Sequence, residues 1–344
     1  MTIHLTLLDS IARLYGVSPA QLQPVSGGHF SHVYKYTDGR RACILRITPP
    51  NADVDLAAMR AILEWLAFLS AHDGPAPGPI RSRNGSLIEE VQFENRTYIA
   101  VAFEKAPGVL AEGMSPAEWS DELFQALGRT VGQCHRVARR YVPARPEFER
   151  PQWDCGGSCF NPREALADAD PAILEKHVRV LSLIQSLPKD RDGYGLAHLD
   201  LHFGNFIVDA AQQHIYLFDF DDCAYGWYVM DIAMLLFDVL VVYDGLDRRQ
   251  FGQRFLTNLL RGYLTQVPIS PFWISQLPHF LKLLEIGIYV MLYRDYDPAT
   301  ADAWVSKFMP ERRDRIEREL PYVDLDFAAL SEHLCQDRRT ARPS

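Results

Sequence analysis

The sequence predicts an α+β protein in two parts, a small strand-rich one with a single inserted helix followed by a larger, mainly helical one. Three observations carry that expectation. Between residues 23 and 106, short β-suited runs alternate with turn residues. After Lys105-Ala106-Pro107-Gly108, apolar residues instead recur at three and four positions, the spacing of buried helix faces. The chain has 344 residues, of which 48% are hydrophobic and 23% charged, enough apolar surface for more than one core. The boundary is drawn to give parts 1–104 and 105–344.

The opening seventeen residues read as a short amphipathic helix, without the basic region, apolar run and cleavage site of a signal peptide. Residues 33–36 and 41–47 are strand-like and meet across Thr37-Asp38-Gly39-Arg40, a hairpin signal because Gly tolerates positive φ. A helix is expected from near Asp53, with Leu56, Met59, Leu63, Leu66 and Leu69 on one stripe and Glu64 beside it. It stops before His72-Asp73-Gly74-Pro75. Asn84-Gly85 predicts a second hairpin between 79–83 and 86–91, and 97–103 reads as a further strand.

In the second part, Ser115-Pro116-Ala117-Glu118 combines an N-cap, a first-turn proline and a capping-box Glu. Further helices are expected from Asp170-Pro171 to about 187, and from near Asp231, Arg248, Pro271 and Ala301. The apolar run 232–243, interrupted by Asp238, falls short of the roughly 20 residues a bilayer span needs and reads as a buried core helix. With no signal peptide and no span, the expected location is cytoplasmic and no membrane partner is implied. The formal net charge of -9 argues against a nucleic-acid partner, since phosphate binding needs clustered Lys and Arg. Six cysteines scattered over the chain do not make a disulfide scaffold, and Cys155 and Cys159 lack a second ligand pair for zinc.

The exception in the helical part is a pair of strand-like runs, 206–208 and 215–218, around a polar turn. Before the first stands His198-Leu199-Asp200-Leu201-His202-Phe203-Gly204-Asn205, and after the second Asp219-Phe220-Asp221. Phosphoryl transfer from ATP needs a metal on the phosphates and a group that orients the attacking hydroxyl. Two Asp and an Asn supply that set.

This pattern, H-x-D-x-x-x-x-N followed by a strand ending in Asp, resembles the aminoglycoside phosphotransferase family, a branch of the protein-kinase-like superfamily that includes choline and homoserine kinases. The likeness extends in order over nearly the whole chain. It implies a bilobal protein-kinase-like fold, ATP and Mg²⁺ as cofactors, and transfer of the γ-phosphate to a hydroxyl of a small molecule. Cationic acceptors of the aminoglycoside, choline or amino-alcohol type fit an acidic cluster of Asp221, Asp222 and Glu285. By the same resemblance Asp200 is the catalytic base, His198 braces the loop, and Asn205 and Asp219 hold the metal. Gly27, Gly28 and Ser31 lie in the phosphate-covering loop. Arg46 stands where kinases place a Lys, with Glu64 as its helix partner; Arg keeps the charge but changes the hydrogen-bond geometry. The Glu104 carbonyl and Ala106 amide would bind adenine. Leu199 departs from the family's Gly, and Asp231 would tie back to the loop.

Other readings compete. His198, Asp200 and His202 offer potential ligands for a metallohydrolase. A nucleotide-binding pseudokinase and a bacterial Ser/Thr protein kinase of the same fold share the motif.

Overall fold

The computed structural model describes residues 3–25, 31–39, 41–50, 55–115, 118–155, 159–210 and 213–330. Gly27 and Gly28 lie outside them, as does the expected helix start near Asp53. The chain divides into two compact units. One comprises Met1–Gly108 and takes in two later segments, Tyr141–Glu149 and Tyr216–Asp221; the other holds Val109–Arg140, Arg150–Ile215 and Asp222–Ser344.

In the first unit a helix, α1 (Leu5–Leu14), precedes β1 (Gln23–Pro24), β2 (His32–Asp38) and β3 (Arg41–Thr48). Then come α2 (Leu56–Ala71), β4 (Pro79–Ile80), β5 (Glu89–Phe93) and β6 (Arg96–Glu104). The strands form one antiparallel sheet in the order β1-β2-β3-β6-β4, with β5 also on β6. Side chains alternate across a sheet, and each face here has its own helix. Leu7, Ile11 and Ala12 of α1 pack with Cys43, Leu45, Ile47, Ala100 and Ala102, whereas Met59 and Leu63 of α2 pack with Ile99 and Val101. Arg46, between Leu45 and Ile47 and opposite Val101, therefore belongs to the α2 face.

The hairpin of β2 and β3 forms as expected, with Asp38 opposite Arg41. The one at Asn84-Gly85 does not. Its turn exists, with Gly85 at φ +80° and the Ser82 amide donating to the Ser86 carbonyl at 2.8 Å, but β4 and β5 each pair with β6. The true hairpin joins β5 to β6 through Glu94-Asn95, both with positive φ. Asn95 tolerates that region, but the pair carries no Gly to announce the turn.

In the second unit β7 (Val109–Leu110) precedes α3 (Asp121–Ala138), α4 (Arg163–Ala167) and α5 (Pro171–Gln185). The strands β8 (Tyr194–Ala197), β9 (Phe206–Asp209), β10 (His214–Leu217) and β11 (Ala224–Trp227) follow, the last residues of β10 belonging to the first unit. Then come α6 (Val229–Val242), α7 (Arg248–Tyr263), α8 (Pro271–Ser275), α9 (Leu277–Leu292), α10 (Ala303–Phe308) and α11 (Arg312–Glu317). The helix expected from Ser115 starts later. Glu118 does accept the Ser115 amide at 2.7 Å, but in a local turn, and Ser120 caps α3 through the Leu123 amide. Asp121 and Glu122 then sit in the first turn, where the helix dipole favours acids.

The run 232–243 is the buried helix expected: α6 is buried from Val229 through Val241, including Asp231 and Asp238. Among the described residues no helix is long and apolar enough to cross a membrane. α3 and α7 approach very closely, because a Cβ on Gly128 would lie 1.9 Å from the Leu259 carbonyl and one on Gly262 1.9 Å from that of Gln125. That approach sets His135 of α3 against Tyr263 of α7.

Candidate active site

The polar loop starts where β8 ends. β8 pairs with β11 so that Ala197 faces Ala224, and β11 leads into α6 with Asp231 in its first turn. The Asp231 carboxylate accepts the Leu199 amide at 2.8 Å and the His198 amide at 3.0 Å. His135 Nε2 lies 2.8 Å from the same carboxylate, and His135 Nδ1 lies 3.0 Å from the Tyr263 hydroxyl. Burial alone would push the Asp231 carboxyl up; the hydrogen bond and charge of His135, with His198, outweigh it and hold the group below its usual range. Asp231 thus ties the helix to the loop, as the resemblance implies.

Leu199 adopts φ +63°, the left-handed region in which a Cβ is strained. Its side chain is nonetheless 1% exposed, and a Cβ added at Gly226 would meet it at 3.4 Å. Packing and strain oppose one another here. Strain at such a position costs about 1–3 kcal/mol, while deleting a buried Leu side chain costs about 2–5 kcal/mol and a Gly adds backbone entropy. Leu199→Gly is therefore expected to lower stability by about 2 kcal/mol, read as a lower urea midpoint at unchanged slope.

Asp200 is held by its own loop. Asn205 Nδ2 donates both to the Asp200 carbonyl and to Asp200 Oδ2, each at 2.8 Å. The Asp200 amide lies 3.4 Å from His198 Nδ1, which places His198 under the turn. His202 Nε2 stands 3.6 Å from Asp200 Oδ2. Burial would raise the Asp200 carboxyl, but the hydrogen bond and charge of His202, then His198 and Asn205, bring it below its ordinary value. The His202 imidazole moves the other way: burial lowers it, and Asp200, Asp238 and Glu112 raise it further than burial depresses it. An ionised carboxylate is thus presented at neutral pH, as a general base requires.

Asn205's two donor contacts also fix its amide orientation. Nδ2 is committed to Asp200, leaving Oδ1 as the oxygen offered elsewhere. An amide oxygen is a hard donor, of the kind that suits a divalent cation. Asp219 itself lies at φ +61°, a left-handed conformation for a non-glycine residue.

In the first unit, Arg46 and Glu64 are not paired. Arg46 presents its fork to Asp221, with Nη1 3.0 Å from Oδ2 and Nη2 3.5 Å from Oδ1. Guanidinium suits this two-point contact in a way an ammonium would not. Glu64 is already engaged: it accepts the Tyr141 hydroxyl and, at 3.1 Å, the Ala144 amide. Burial raises the Glu64 carboxyl, with the Ala144 amide opposing. Ser31 Oγ lies 3.0 Å from Thr48 Oγ1. At the end of β6 the Glu104 amide donates to Gly78 and the Lys105 amide to Ala42, both at 2.9 Å, while the Glu104 carboxylate meets Arg41 at 3.1 Å.

The expected acidic cluster is not assembled from the three residues named. Glu285 is fully buried and paired with Arg312 at 2.6 Å and with Lys282. Asp221 is taken by Arg46. The sequence reading also missed His135, Tyr263, Tyr141 and Asp238. Asp238 alone left a signal, as a charge inside an apolar run. His198, Asp200 and His202 do not form a metal centre: among the described residues no three His, Cys, Asp or Glu side chains come together to hold an ion.

A family model described as phosphotransferase enzyme family (APH) matches residues 21–271. The chain belongs to that family. It is an ATP-dependent phosphotransferase of small molecules with a protein-kinase-like α+β fold. The chain is 31% identical over 332 residues to the amicoumacin kinase of Bacillus subtilis (strain 168), covering 94% of this phosphotransferase and 95% of that relative. A solved amicoumacin kinase, hAmiN, in complex with AMP-PNP, Ca²⁺ and Ami, superposes with a TM-score of 0.82 at 29% identity, over 96% of this chain and 97% of that one. A microcompartment-associated aminopropanol kinase shares the fold, with a TM-score of 0.63 at 23% identity over 98% of each chain.

Proposed function

We propose that this phosphotransferase moves the γ-phosphate of ATP to a hydroxyl of an amine-bearing small molecule of the amicoumacin type. The observation that carries the chemistry is the Asp200 carboxylate, held by Asn205 at 2.8 Å within a loop whose first amides are fixed by Asp231. Asp200 orients the acceptor hydroxyl and takes its proton as the phosphoryl group transfers. His198 supports the turn beneath it. Asn205 and Asp219 would hold Mg²⁺, which when bound neutralises charge on the phosphates. Arg46 supplies positive charge for the nucleotide, and its exchange of Asp221 for a phosphate is part of binding. The adenine contacts fall to the Glu104 carbonyl and the Ala106 amide. Gly27, Gly28 and Ser31 belong to the loop that covers the phosphates, and Glu64, on α2, is the helix acid that accompanies Arg46 in nucleotide binding.

The acceptor class is supported by the 31% identity to an amicoumacin kinase that this chain spans almost end to end. Purified protein with Mg-ATP and amicoumacin is expected to give a product heavier by one phosphoryl group in mass spectrometry. Phosphorylation of aminopropanol, choline or kanamycin with amicoumacin left intact would reassign the acceptor. ATP-dependent labelling of the protein alone, with every small molecule untouched, would favour a protein kinase.

A further inference from the structure

The helix α6 carries two buried carboxylates in an otherwise apolar sequence, Asp231 and Asp238. Seven residues bring the second back to within about 20° of the first, roughly 10 Å further along the same side of the helix. Asp231 takes the amides that open the catalytic loop. Asp238 takes an amide near its end: Oδ2 accepts Phe203 N–H at 2.9 Å. The other oxygen, Oδ1, accepts the indole N–H of Trp304, from α10, at 2.8 Å.

We propose that Asp238 and Trp304 are positioning residues of the phosphotransfer reaction, holding the half of the loop that carries Asn205. This rests on the assignment of Asp200 and Asn205 made above. Phe203 opens the short turn Phe203–Asn205, which is closed by the Asn205 amide donating to the His202 carbonyl at 2.9 Å. The orientation of Asn205 toward Asp200 depends on where that turn begins, and Asp238 fixes its first amide. Trp304 in turn fixes the carboxylate, so a residue far along the chain sets the rotamer of the group that holds the loop. A 6%-exposed carboxylate inside an apolar helix is costly unless its oxygens are satisfied, and here each oxygen accepts one N–H. Were packing the only requirement at this position, an aliphatic side chain would meet it at lower cost.

The test uses the full chain with Asp238→Asn, Trp304→Phe and the double substitution. Asparagine offers one acceptor and one donor, so in Asp238→Asn one of the two N–H groups faces another N–H. The expected result is a kcat lower by roughly 10- to 100-fold with amicoumacin and Mg-ATP, at a nearly unchanged KM for ATP. In the double variant the indole N–H is gone, the introduced carboxamide can turn its oxygen to Phe203, and kcat should recover several-fold over Asp238→Asn alone. Single effects that simply multiply would overturn the role of Trp304. Amide hydrogen exchange gives a readout independent of the acceptor. In Asp238→Asn the Phe203 amide should exchange roughly tenfold faster while the Leu199 amide, held by Asp231, keeps its protection. Unchanged exchange at Phe203 overturns the proposal. If amicoumacin is not a substrate of the unsubstituted protein, the acceptor assignment fails and the exchange result still decides the anchor.

Discussion

Asp200→Asn is expected to lower turnover by about 10²- to 10⁴-fold and to leave Mg-ATP binding close to that of the unsubstituted protein. The substitution is nearly isosteric and keeps the Asp200 main-chain carbonyl, which receives one of the two Asn205 donor contacts. What it removes is the negative oxygen proposed to take the hydroxyl proton. The comparison needs two measurements on the same preparations: kcat with amicoumacin, and the thermal shift produced by Mg-ATP, which at about 100 times Kd stabilises by about 2.7 kcal/mol. A kcat within a few-fold of the unsubstituted enzyme would remove Asp200 from the role of base. The pH profile gives a second check. Asp200 is held below its ordinary value of 3.8 by His202, His198 and Asn205 against the effect of burial, so its protonation should not limit turnover anywhere above about pH 5. The His202 imidazole, raised by Asp200 before Asp238 and Glu112, loses its charge above its ordinary value of 6.5. A fall in rate toward alkaline pH that disappears in His202→Asn would trace that limb to His202.

The loop proposed to carry this chemistry is legible in the sequence because its parts are consecutive. His198, Asp200 and Asn205 stand at fixed short spacing, and the strand after them brings Asp219 within the same stretch of sequence. The same holds for the β2–β3 hairpin, where a glycine sits in the turn, and for α5, capped by Asp170 before Pro171. Features made by residues far apart were not readable. The resemblance makes Glu64 a partner for Arg46, yet Tyr141 and Ala144, from a segment almost eighty residues later, claim it. Glu285, expected in an acidic cluster with Asp221 and Asp222, is instead neutralised by Arg312 in a buried pair. The Asn84-Gly85 signal correctly marks a turn, but which strand each arm pairs with depends on β6, and nothing local encodes that choice. Asp238 is the instructive intermediate. A charge within an apolar run was visible as an anomaly, and its meaning rests on Phe203 and Trp304, which lie on either side of it in sequence.

Removing the other carboxylate of α6 should have the largest effect on stability. Asp231→Ala leaves the amides of His198 and Leu199 without their acceptor and strips His135 of its partner, all within a region where His135 and Asp231 are 0% and 1% exposed. Breaking one side of such a buried pair costs about 3–5 kcal/mol, most of it from the groups left behind. Asp231→Asn should cost less, because one carbonyl oxygen can still accept a loop amide. The pH dependence separates this contribution from simple loss of packing. The folded-state carboxyl lies below its unfolded value of 3.8, since His135 and His198 outweigh the effect of burial. Its charged form therefore stabilises the fold above pH 3.8, and that contribution is lost as pH falls through the folded-state value. Denaturant unfolding of the two proteins should accordingly show a gap that is constant near neutrality and narrows in strong acid. A gap that stays equally wide down to full protonation would assign the effect to the cavity instead. Because Leu199 sits at φ +63° with its amide on Asp231, the alanine variant also releases a strained turn next to Asp200. The fraction that remains folded should be slow as well as fragile, with kcat reduced even at temperatures well below its unfolding midpoint.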